Sequence, residues 1–63
     1  MQEIKELFEL ARRNGLSQER LARLVGVSLY TLHRWKNGKS KPSYLARAQI
    51  ERALKELRDE DRQ

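Results

Sequence analysis

Leu16-Ser17-Gln18-Glu19-Arg20-Leu21-Ala22-Arg23-Leu24-Val25-Gly26-Val27-Ser28-Leu29-Tyr30-Thr31-Leu32-His33-Arg34-Trp35-Lys36-Asn37-Gly38 reads as two short helices joined through Val25-Gly26-Val27. Ser17 and Ser28 each stand where an N-cap belongs, because a serine hydroxyl accepts from an otherwise unpartnered N–H of the first helical turn. Leu16, just ahead of the first cap, is placed to pack against Leu21 as a hydrophobic staple. The capping box is incomplete, since Arg20 occupies the position where Glu or Gln would reach back. Leu21, Ala22 and Val25 form the inner face, and the helix ends by Val25. Gly26 supplies the backbone freedom for a sharp change of direction. So short a connection forces the two helices to cross steeply. Ala22 is small enough to let them approach, and Val27 and Leu32 fill the junction.

The remaining chain is helical on both sides. Ile4, Leu7, Phe8 and Ala11 recur at helical spacing and predict a first helix from Gln2 to Arg13. Its acids come early and Arg12 and Arg13 come late, as the helix dipole favours. Asn14-Gly15 ends it. The helix that follows Gly26 runs from its cap at Ser28 to Asn37, before Gly38. Asn37 to Pro42 has loop composition. Ser43 caps a fourth helix reaching Glu60, with Ala46, Ile50, Ala53, Leu54 and Leu57 on its apolar face, and Asp59 to Gln63 are expected to fray. Valine and threonine are scarce, and no alternation of period two persists. The expected fold class is all-α, a compact arrangement of four helices, with residues 1–63 forming one domain.

Composition narrows the function. No cysteine is present, which excludes disulfides and thiolate metal sites, and the one histidine cannot hold a zinc ion alone. The mean hydropathy of −0.90 comes with no long apolar run, so no membrane segment and no signal peptide are expected. The net charge of +5 is unevenly spread. Residues 1–11 set Lys5 against Glu3, Glu6 and Glu9. Residues 12–47 set Arg12, Arg13, Arg20, Arg23, Arg34, Lys36, Lys39, Lys41 and Arg47 against Glu19 alone. A central basic block between nearly neutral ends suits a polyanion, although a solvated helical surface has the same composition.

The stretch from Leu16 to Ser28, followed by Thr31-Leu32-His33-Arg34-Trp35-Lys36-Asn37-Gly38-Lys39 and Lys41-Pro42-Ser43, resembles the Cro-type, lambda-repressor-like helix-turn-helix family. The resemblance implies sequence-specific binding of double-stranded DNA, of the transcriptional-regulator type. A cytoplasmic, nucleoid-associated place in a bacterial or phage-type system goes with it. Two departures stand out. Lys36 occupies a position where the family often has Glu paired with an arginine of the first helix. One long helix also replaces the family's usual fourth and fifth, which leaves monomer and weak homodimer both open. The regular, helix-favouring surface is also compatible with a designed or redesigned protein on this scaffold.

Helical geometry sorts the third helix into faces. At 100° per residue, Ser28, Leu32 and Trp35 share one face and are expected to turn inward. Tyr30, His33, Arg34 and Asn37 share the other, a set of hydrogen-bonding side chains on an element that fits the major groove of B-DNA. Arg34 is the foremost base reader, since a guanidinium can pair with guanine O6 and N7 together. A surface ion pair or a phosphate contact is its other reading. Tyr30 lies one turn earlier and suits a phosphate, a base edge or a thymine methyl. Leu29 suits a thymine methyl or a sugar, or else packs on the second helix. His33, on the flank of this face, is a further base-contact candidate. The resemblance carries base contact onto Leu29, Tyr30 and Arg34, and phosphate contact onto Gln18, Asn37, Lys39 and Lys41. Gln18 also opens the second helix, where free N–H groups attract anions. Ser28 and Thr31 stay divided between capping and phosphate contact. Trp35 is expected to be partly buried against the first helix.

No nucleophile–base pair, carboxylate dyad or phosphate-cradling glycine loop stands out, so the expectation is no enzyme, no catalytic or metal residue, no cofactor and no small-molecule substrate. The same fold as a protein-interaction module is the alternative. A basic outer helix argues against it, because interface cores are depleted in charge. A recombinase anchor and a structured-RNA binder fit less well, the first on length and the second because the RNA major groove is too narrow to read.

Overall fold

A computed structural model describes residues 2–61, which form helices α1 (Gln2–Arg13), α2 (Gln18–Val25), α3 (Leu29–Lys36) and α4 (Tyr44–Asp61). Among the described residues there is no strand. The three serines cap as their spacing predicts. Ser17 Oγ accepts from the Arg20 N–H at 3.2 Å, Ser28 Oγ from Thr31 at 3.1 Å, and Ser43 Oγ from Ala46 at 3.2 Å. Each such cap contributes about 1 kcal/mol. The ends of α1 and α3 close alike. The Leu16 N–H reaches the Ala11 carbonyl at 2.8 Å, and the Lys39 N–H reaches Arg34 at 2.8 Å.

The turn after α2 places α3. The N–H groups of Gly26 and Val27 both converge on the Ala22 carbonyl, at 2.8 and 3.0 Å, while Gly26 takes a φ of 93°. An added Cβ there would lie 3.2 Å from Gln49 Nε2, the movable end of a side chain, so the cost of substitution is mostly in the backbone. Gly26→Ala is expected to lower the unfolding free energy by about 1–2 kcal/mol, read by urea titration. A variant as stable as the parent would show that the turn relaxes to negative φ without loss.

The core joins all four helices. Leu7, Leu21, Val25, Leu32 and Ala53 are fully buried, with Ile50 and Leu57 almost so, and Trp35 is 7% exposed. Leu16 and Val27 pack against this core from the turns, Leu16 sharing a recess with Leu21 as the staple requires. Burial on α1 differs from the expected stripe. Leu10 is buried, while Phe8 is only partly so. Both flank the line of Ile4, Leu7 and Ala11, but α1 packs chiefly on α4, which closes one flank. Phe8, on the other, borders the open recess shared with Leu16 and Lys36. Lys36 lies 5.1 Å from the Phe8 ring centre, within reach of a cation–π contact.

The end of α4 is tied to α1. Helix continues through Asp61, whose carboxylate accepts from Arg13 at 2.9 Å. A second tie to α1 runs from Arg58 Nε to Glu6 at 2.8 Å. These partners, brought close only by the packing of α4 on α1, hold the last turn where local propensity predicts fraying. The expected fraying of Arg62 and Gln63 lies outside the described residues. Arg52 reaches from α4 to the Leu24 carbonyl at 3.0 Å and so caps the end of α2. No helix among the described residues is long and apolar enough to cross a membrane.

Candidate nucleic-acid interface

Burial of Leu32 and Trp35 fixes which side of α3 faces out. Tyr30 is 71% exposed, Asn37 is exposed, and His33 and Arg34 are half-buried at the surface. Ser28 departs from its expected place on the inner face. It is exposed, because an N-cap precedes the helix and its hydroxyl folds back over the first turn. The same hydroxyl donates to Thr31 Oγ1 at 3.0 Å, so both side chains serve the start of α3. Leu29 is half-buried and packs against the core, which gives its other reading, contact with the protein itself, a structural basis.

Two contacts order the polar face. Arg34 Nη1 lies 3.5 Å from Tyr30 Oη, its guanidinium carbon is 5.7 Å from the Tyr30 ring centre, and Nη2 donates to the Lys39 carbonyl at 3.3 Å. The guanidinium is thereby set between the previous turn of α3 and the following loop. Across the α2–α3 crossing, His33 Nε2 lies 2.5 Å from Gln18 Oε1. Asn37, Lys39 and Lys41 are exposed, and no side-chain partner is seen for them among the described residues.

Charge is segregated. The ion pairs among the described residues join Glu9 to Arg12, Asp61 to Arg13 and Glu6 to Arg58, all on α1 and α4. Arg20, Arg23, Arg34, Lys36, Lys39, Lys41 and Arg47 have no carboxylate partner among the described residues. The basic block that the sequence places at residues 12–47 therefore loses only Arg12 and Arg13 to internal pairing. Tyr44 and Leu45, 88% and 76% exposed at the start of α4, form an apolar spot that periodicity did not single out. Its one sequence signal is an aromatic residue directly behind a basic loop.

Two short helices crossing through a glycine turn, with a polar, cationic outer face on the second, define a helix-turn-helix domain. The chain belongs to the Helix-turn-helix family of lambda-repressor/Cro-like type, whose model matches residues 4–59. That family comprises DNA-binding transcriptional regulators and is not enzymatic, and the chain is of that type. No curated protein and no solved structure matches the chain.

Proposed function

We propose that residues 1–63 act as one unit that binds duplex DNA sequence-specifically, with α3 seated in the major groove. The observation that carries this is the outward face of α3. Tyr30 and Arg34 lie opposite buried Leu32 and Trp35, and Lys39 and Lys41, with no carboxylate partner among the described residues, follow directly. In this reading Arg34 pairs with a guanine, Tyr30 and the free edge of Leu29 meet bases or thymine methyls, and His33 borders them. Gln18, Asn37, Lys39 and Lys41 hold phosphates, which set register without reading sequence. Ser28 and Thr31 border the backbone while keeping their capping bonds.

Selection of sites from random duplex DNA tests this. A single enriched motif is expected. A palindromic winner would assign a dimer and a short half-site a monomer. Absence of any duplex complex in dilute buffer would overturn the reading. Salt supplies a second test. With about 6 phosphates contacted, log affinity should fall against log salt with a slope near −5. A flat titration would remove phosphate contact as the source of affinity.

A further inference from the structure

We infer that His33 acts through Gln18, turning the Gln18 amide so that its oxygen faces α3 and its NH₂ group faces outward from the start of α2. The inference rests on the DNA-binding reading and deepens it, because it gives the histidine a positioning role in place of a base contact. Gln18 is the first residue of α2 and His33 lies within α3. The 2.5 Å approach of Nε2 to Oε1 ties together elements that meet only through the crossing.

A glutamine amide has an accepting end and a donating end, and an imidazole nitrogen can complement either according to its tautomer. The start of α2 decides between the two arrangements. The Ser17 hydroxyl takes the Arg20 N–H, and the Ser17 carbonyl takes the Leu21 N–H at 2.9 Å. The N–H groups of Gln18 and Glu19 are left open, at the positive end of the helix dipole. A phosphodiester oxygen placed there is met by a third donor only if the amide oxygen is engaged elsewhere. Donation from His33 Nε2–H to Gln18 Oε1 achieves that. The opposite arrangement would point a carbonyl oxygen at the anion. Holding the amide in advance also removes part of the ordering cost that a free glutamine side chain would incur on binding.

The test is a double-mutant cycle on the full chain, read by fluorescence anisotropy against the selected duplex, with thermal melts matched to exclude unfolding. Gln18→Ala should weaken binding about tenfold, as loss of a charge-assisted hydrogen bond implies. His33→Leu should weaken it by a smaller factor. The double variant should bind no worse than Gln18→Ala alone, because nothing remains for the histidine to orient. His33→Gln, whose amide nitrogen sits the same number of bonds from the backbone, should restore most of the loss. Additive losses would overturn the inference, since His33 would then touch DNA on its own account, and an inert His33→Leu would overturn it equally. A measurement without DNA stands beside these. Nitrogen-15 spectra of the free protein should find the His33 proton on Nε2 and an ordered Gln18 amide. A neutral ring protonated on Nδ1 alone overturns the inference whatever the duplex does. Failure of the parent chain to bind any duplex overturns the DNA-binding reading instead, and with it the purpose assigned to the pair.

Discussion

Leu32→Ala is expected to lower the unfolding free energy by about 2–5 kcal/mol, the range for truncating a buried leucine. A domain of this size has roughly 3–5 kcal/mol in hand, so the variant should sit close to its unfolding midpoint at 25 °C. Leu32 is fully buried, and with Trp35 it forms the buried part of α3, which Leu29 only flanks. Neither a disulfide nor a metal-binding cluster among the described residues offsets its loss. Urea unfolding followed by circular dichroism measures the change. Leu45→Ala, at a position 76% exposed on α4, should stay within about 0.5 kcal/mol of the parent. Added duplex should partly restore the Leu32 variant, because a ligand at a hundred times its dissociation constant stabilises by about 2.7 kcal/mol. A loss below about 1 kcal/mol would mean that the core re-forms around the gap, and Leu32 could not then be what orients α3.

What the sequence revealed follows from the range over which its signals act. Ser17, Ser28 and Ser43 declare their helices because a cap is a contact three residues long, and Gly26 declares its turn because the backbone there needs a positive φ. Arg34 and Tyr30 were also legible as a pair, being one helical turn apart. Contacts made by the packing of one helix on another left no such mark. Periodicity favours Phe8 over Leu10 for the inner stripe of α1, and only the position of α4 decides that Leu10 is the one covered. Arg52 capping α2, Arg13 holding Asp61, and His33 engaging Gln18 each join residues between 15 and 48 positions apart. The face of α3 was therefore readable residue by residue. The restraints on its side chains depend on where the neighbouring elements come to rest.

Those restraints bear directly on the second large effect. Arg34→Ala should reduce discrimination between the selected site and random duplex by about 1–3 kcal/mol, roughly 5- to 150-fold, while leaving stability nearly unchanged. The Tyr30 ring and the Lys39 carbonyl hold the guanidinium before any partner arrives. Part of the cost of ordering a long side chain is thereby met within the protein. Arg34→Lys should recover little, because an ammonium keeps the charge but cannot form two parallel bonds to one guanine edge. Lys39→Ala provides the contrast. It should weaken specific and random binding alike and make the salt slope shallower by about 1, as loss of one phosphate contact requires. Competition titrations at several salt concentrations separate the two, since a base contact alters the ratio of affinities and a phosphate contact alters both together. If Arg34→Ala lowered both affinities equally and also reduced the salt slope, Arg34 would be a phosphate clamp, and base reading would have to be sought at Tyr30 and Leu29.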